Sequence, residues 1–329
     1  MRVGADLENT IRTGFLVVAA LAVTATSGWA QLKSGPPLPH KVVKDWAKLP
    51  LGWHFGECTG VSVDKDDNVW VYNRGKHPVI QFDKDGNVLQ SWGEDLMTWP
   101  HGIKVDLDGN IWTVDVGFGS IDYLNPISVN GHVVFKLTPA GRVLMTIGRV
   151  GFPGGNESKG AFNQPTGIAF APNGDMYISD GYVNSRVIKF NRDGDYLLHW
   201  GKKGTGDGEF NLVHDVALDS QGRVYVADRN NKRVQIFDGS GKFLAKWTDV
   251  GTPWGFHFVA KENALYMCDA ANSRVVKLSL DGQILGVLGG PGRVQGKFGP
   301  AGPHHMAVDS KGNIYVVEIQ NRWVQKFAP

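Results

Sequence analysis

One short pattern recurs six times along this chain, at a spacing of roughly 40 to 60 residues. A period in that range restricts the fold to a propeller or a related array, because no single unit can bury its own apolar face. The units open with Thr59-Gly60-Val61-Ser62-Val63-Asp64, His101-Gly102-Ile103-Lys104-Val105-Asp106 and Thr166-Gly167-Ile168-Ala169-Phe170-Ala171. They continue with His214-Asp215-Val216-Ala217-Leu218-Asp219, Trp254-Gly255-Phe256-His257-Phe258-Val259 and His304-His305-Met306-Ala307-Val308-Asp309. After each comes a Gly, Asn or Asp turn and a second apolar run, at 68–72, 110–114, 175–179, 223–227, 264–268 and 313–317. A third run follows, such as Arg186-Val187-Ile188-Lys189-Phe190, and a fourth after another glycine turn, such as 196–200.

These runs are short, rich in Val, Ile, Tyr, Phe and Trp, and bounded by turn formers, with no helical period between them. Four strands in each of six units predict an all-β, six-bladed β-propeller. The stretch Gly-x-x-Tyr-Val-Ala-Asp-x-x-Asn-x-Arg-Val-x-x-Phe at 222–237 resembles the NHL repeat. The sixth unit stops after its third strand, at Phe327-Ala328-Pro329. The run Val42-Val43-Lys44-Asp45-Trp46 is therefore expected to complete that blade and remove its open edge.

Residues 42–329 read as a single propeller domain, preceded by a flexible proline-bearing lead-in at 31–41. The apolar stretch 15–23 is too short to span a bilayer. With Arg12 before it and Ser27-Gly28-Trp29-Ala30 after it, residues 1–30 read as a secretory signal peptide, the alternative being an uncleaved anchor. The expected location is secreted or periplasmic, with no stable membrane insertion after cleavage. The net charge is +2, and no basic tract exists. That balance argues against a nucleic-acid partner. The two cysteines, Cys58 and Cys268, lie too many blades apart for a disulfide and are expected as buried free thiols.

The first position of the six units reads Thr59, His101, Thr166, His214, Trp254, His304. Histidine is only 10 of 329 residues, yet it occupies every second place in this column. Ring closure would turn His101, His214 and His304 toward one axial point, the ligand set of an open zinc site. Strand direction adds neighbours. The inner strand leads away from this face and the second strand returns to it, so the loops after the second strands surround the histidines. Arg74 and Arg229 follow those strands in units one and four, and paired guanidiniums suit a carboxylate. Arg229 could instead pair with Asp228. Tyr182 extends from the loop of unit three. A phenol beside a dication and arginines suits proton transfer, although a loop-packing role is also open.

Together these motifs resemble the peptidyl-α-hydroxyglycine α-amidating lyase family: Trp99-Pro100-His101-Gly102, Asp180-Gly181-Tyr182-Val183-Asn184-Ser185-Arg186, Val226-Ala227-Asp228-Arg229-Asn230, Pro303-His304 and Asn73-Arg74-Gly75-Lys76-His77. The resemblance runs over nearly all of 42–329. It implies that His101, His214 and His304 hold Zn2+, that Tyr182 is the base, and that Arg74 and Arg229 hold the substrate carboxylate. It implies cleavage of a C–N bond to an amide and glyoxylate, on a small-molecule or peptide substrate with a carboxylate, by a monomer. The family also places a structural Ca2+ on an Asp after the third histidine. Here that residue is His305, with carbonyls near Val61 and Ile103 still available. Gly302 stands where the family has a pocket methionine. An insertion at about 117–131 and the glycine-rich stretch 149–161 are expected to wall the pocket.

Other readings remain. A metal-dependent lyase or hydrolase could use the same site on another carboxylated substrate. A non-enzymatic propeller could bind a protein or glycan, with Trp53, Trp99, Phe118, Tyr123 and Trp254 as exposed aromatics. A calcium-dependent lactonase-like propeller would need carboxylates and amides at the axis, where this column has histidines.

Overall fold

Six four-stranded antiparallel sheets realise the six units. The computed structural model describes residues 33–117 and 131–329. The expected signal segment, Phe118, Tyr123 and nearly all of the 117–131 insertion lie outside the described residues. The inner strands are Cys58–Val63, Pro100–Val105, Pro165–Phe170, Val213–Leu218, Pro253–Val259 and Pro303–Val308. Blades are numbered one to six in that order. A short parallel pair, Lys202–Lys203 with Glu209–Phe210, precedes blade four.

Two recurring acidic positions fix the ends of most inner strands, the far-end one in blades one, two, four and six and the near-end one in blades two to six. At the far end, an Asp closes the turn by accepting backbone N–H groups, which is the local bonding that favours Asp in turns. Asp64 takes Asp66 N and Asn68 N at 3.0 Å each, and it also receives the Trp70 indole at 3.1 Å. At the near end, the last residue of the second strand reaches back to the segment that enters the inner strand. Asp180 accepts Asn163 N at 2.8 Å, Asp228 accepts Asn211 N at 2.7 Å, and Asp269 accepts Thr252 N at 2.9 Å. An arginine from the third strand neutralises each: Arg186 on Asp180, Arg233 on Asp228, Arg274 on Asp269, at 2.7 to 2.9 Å. The start of the inner strand, where the histidine column sits, is thereby held rigidly in each of these blades.

The core lies between blades. One buried cluster joins Trp112 and Val114 of blade two to Ile168, Ile178 and Ile188 of blade three. The N-terminal segment closes the ring as Lys41–Val43, pairing Lys41 with Ala328, Val42 with Phe327 and Val43 with Lys326. The strand is shorter than the expected 42–46 run because Asp45 turns into the left-handed region at φ 51°. That turn drives Trp46 inward, where its ring lies 5.5 Å from Phe82 of blade one and 5.0 Å from Tyr315 of blade six. Trp46 is 5% exposed, so burial of an aromatic side chain, typically some 1.5–3 kcal/mol, also secures the closure. Cys58 and Cys268 are buried free thiols.

Candidate metal centre

The alternating histidines meet on the axis. The ring centroids of His101, His214 and His304 form a near-equilateral triangle with sides of 4.9, 4.7 and 4.9 Å. All three are fully buried. Each Nδ1 donates to the backbone carbonyl of the next residue in the column: His101 to Thr166 at 2.5 Å, His214 to Trp254 at 3.0 Å, His304 to Thr59 at 2.6 Å. The non-histidine members of the column thus orient the histidines, and the choice of tautomer follows. A carbonyl can only accept, so Nδ1 carries the proton and Nε2 keeps its lone pair.

Those lone pairs are available. Burial holds all three imidazoles well below the ordinary value of 6.5, and neighbouring charges add to it: His305 on His101 and His304, Arg229 on His214. The His304 Nε2 is buried with no hydrogen-bond partner, a rare and costly state for a ring nitrogen. Three neutral imidazoles, each oriented by a carbonyl, with the His304 Nε2 orphaned and the other two Nε2 atoms facing the Tyr182 hydroxyl, fit zinc with a position left open. His305 also brings a ring nitrogen into ligand range of His101 and His304. Its Nδ1 lies 2.7 Å from the Thr59 carbonyl and 2.8 Å from His304 Nδ1, and its Nε2 lies 3.5 Å from Asp215 Oδ2.

Tyr182 caps the triangle, its hydroxyl 3.0 Å from His101 Nε2 and 3.3 Å from His214 Nε2. Its loop reaches this far because residue 181 is glycine. A Cβ there would stand 1.8 Å from the Val213 carbonyl, immediately before His214. Burial pushes the Tyr182 phenol up, and the charges of Arg229 and Arg74 pull it back.

The two arginines arrive differently. Arg229 does not pair with Asp228, which is taken by Arg233. Its guanidinium lies 4.7 Å from the Trp254 ring and 5.7 Å from Tyr182. Among the described residues no carboxylate lies within ion-pair distance of it. Arg74 rests 4.5 Å over Trp99, donates to the Pro100 carbonyl at 3.1 Å, and forms an ion pair with Glu57 at 2.6 Å. Glu57 escaped the sequence reading, as did the use of Trp99 and Trp254 as arginine platforms. Trp254 stands in the column and Trp99 lies two residues before His101, but nothing local says what stacks on them.

Around the centre, Trp53 stacks on His77 at 3.6 Å. It shares a cleft of about 350 Å³ with His54, Arg74, Lys76 and Arg322. The 149–161 stretch is bound to the blade-three frame rather than to the histidines. Arg186 donates to the carbonyls of Asn156, Ser158 and Ala161, at 2.6, 2.5 and 2.7 Å. The calcium implied by the resemblance does not fit. Ca2+ takes six to eight oxygen ligands, and the side chain at the required place is the His305 imidazole.

Comparison with known proteins agrees with this architecture. The NHL repeat model matches residues 162–190 and 210–237. NHL repeat-containing protein 3 of Homo sapiens is 33% identical over 312 residues, covering 86% of this chain and 84% of that protein. Peptidyl-alpha-hydroxyglycine alpha-amidating lyase 1 of Drosophila melanogaster is 28% identical, over 83% of this chain and 57% of that protein. Among solved structures, a gluconolactonase from Xanthomonas campestris superposes with a TM-score of 0.61 over 90% of this chain and 97% of that one. At 14% identity that likeness concerns the fold alone. The chain belongs to the NHL-repeat propeller family, in which NHL repeat-containing protein 3 and the peptidyl-alpha-hydroxyglycine alpha-amidating lyases are its relatives.

Proposed function

We propose that this propeller is a zinc-dependent carbon–nitrogen lyase that converts an α-hydroxyglycine-type carbinolamide into an amide and glyoxylate. The observation that carries the reading is the imidazole triangle, with every Nδ1 on a carbonyl and the Tyr182 hydroxyl within 3.3 Å of two Nε2 atoms. His101, His214 and His304 would hold the zinc, which when bound supplies Lewis acidity toward a substrate hydroxyl.

The remaining chemistry falls to the protein. Arg229, with no carboxylate partner among the described residues and laid on Trp254, binds the substrate carboxylate. Arg74 stands on the other side, pre-oriented by Glu57 and Trp99, and opposes negative charge as it develops. Tyr182 accepts the hydroxyl proton. As the C–O bond becomes a carbonyl, the C–N electrons go to the amide nitrogen, which is protonated in turn. No redox partner and no net water are consumed. Burial raises the Tyr182 phenol on balance even with the two arginine charges beside it, so accepting the hydroxyl proton needs the further positive charge that the zinc would supply when bound. The same reading places the mature chain outside the cytoplasm, as a monomer acting on a small or peptidyl carboxylate.

Two measurements test it. Elemental analysis should find about one zinc per chain, lost on His101→Ala or His214→Ala. A glyoxylate-release assay on an α-hydroxyhippurate-type compound should be positive. A fully folded, metal-free protein would point to a binding propeller. Zinc without glyoxylate would assign the site to a different carboxylated substrate.

A further inference from the structure

One residue further along the inner strands, the six blades contribute Gly60, Gly102, Gly167, Asp215, Gly255 and His305. Only blades four and six place a side chain in this layer, and the two meet: His305 Nε2 lies 3.5 Å from Asp215 Oδ2. Asp215 is 0% exposed and His305 3%. The glycines make the space. A Cβ on Gly167 would stand 2.2 Å from Asp215 Oδ1, and one on Gly255 2.7 Å from His305 Cδ2.

The pair is anchored at both ends. Asp215 Oδ2 accepts the Phe256 N–H at 2.7 Å. His305 Nδ1 lies 2.7 Å from the Thr59 carbonyl, the same oxygen that orients His304 at 2.6 Å. The two Nδ1 atoms lie 2.8 Å apart, so only one of them carries a proton; with that proton on His304, His305 Nδ1 accepts and its Nε2–H faces Asp215. Asp215 Oδ1 is buried without a partner, so it is the atom that any cation entering this layer would take. Its companion across the axis is a nitrogen base, which suits calcium poorly.

We propose that the Asp215–His305 pair takes the place of a calcium ion in the axial layer and acts as a positioning pair for His304, through the contact of the two Nδ1 atoms at the Thr59 carbonyl. This holds whatever the substrate of the metal centre is. Removing such an outer partner of a metal-ligating histidine typically weakens metal binding about 10- to 100-fold.

The test is thermal unfolding and elemental analysis of the full chain, dialysed into calcium-free buffer and then measured with and without millimolar calcium chloride. The wild type should retain no calcium, and its Tm should not move. His305→Asp sets two carboxylates against each other. Its Tm should fall in calcium-free buffer and recover when calcium is added. Asp215→Asn should lower the Tm and weaken zinc retention about 10- to 100-fold, with no rescue by calcium. Stoichiometric calcium in the wild type, or a saturable calcium-dependent rise in its Tm, would overturn the proposal. So would an Asp215→Asn protein with wild-type Tm and zinc affinity. Should His305→Asp fail to fold, the other two proteins decide. A wild type without zinc would count against the zinc reading and against the positioning of His304, while the calcium measurements stand apart from both.

Discussion

Acid should unfold the metal-free protein through its own axial histidines. His101, His214 and His304 are fully buried and are held well below 6.5, chiefly by burial. In the unfolded chain they return to about 6.5. Below that pH the unfolded state binds protons that the folded state refuses, so stability present above about pH 6.5 is lost as the pH falls. While the folded imidazoles stay neutral, each costs about 1.4 kcal/mol per pH unit below 6.5. Between about pH 7.5 and 5.5 each loses about 1.4 kcal/mol, and the three together about 4 kcal/mol. That is a large part of the 5–15 kcal/mol typical of a folded domain. The assay is urea unfolding of chelator-treated protein across this range. With a slope of about 3 kcal/mol/M, the midpoint should fall by about 1 M or more. His257, pushed down to about 3 by burial, adds a similar contribution, so His101→Gln should remove about a quarter of the histidine dependence. A wild-type midpoint unchanged over the window would refute the reasoning, as would a His101→Gln protein with the full wild-type dependence.

Three further outcomes are expected. Tyr182→Phe should retain zinc while turnover drops about 10²- to 10⁴-fold, the usual contribution of a positioned proton-transfer group; unchanged glyoxylate release would remove Tyr182 from that role. Gly181→Ala, whose Cβ would stand 1.8 Å from the Val213 carbonyl, should displace the same hydroxyl and reproduce the Tyr182→Phe kinetics with zinc still bound. Wild-type turnover in that variant would show that the loop yields without moving Tyr182. Arg186→Leu leaves Asp180 buried and unpaired, and should cost about 3–5 kcal/mol in denaturant unfolding; a loss below about 1 kcal/mol would mean that the frame around Asn156, Ser158 and Ala161 does not depend on it.

The propeller, its blade count and the histidine column were legible in the sequence because each is a repeated local pattern. A strand is encoded by neighbours two residues apart and a turn by four, so six similar units announce themselves without tertiary knowledge. Closure by the N-terminal run was legible for the same reason, since the sixth unit lacked a strand. Its bounds were not, because Asp45 leaves the strand only where Trp46 finds room between Phe82 and Tyr315.

What the sequence determined, then, was which residues stand at equivalent places in each blade. What tertiary structure alone decided was which of them touch. Asp228 chose Arg233 over its neighbour Arg229 because the third strand presents Arg233 directly across the ladder. Glu57 found Arg74 through a loop approach that no periodicity encodes. Asp215 and His305 stood in plain view in the column of glycines, 90 residues apart. Only the radius of the closed ring brings blades four and six within reach of each other. Contacts across an axis are set by the diameter of the ring, a property of all six blades together and of no one of them.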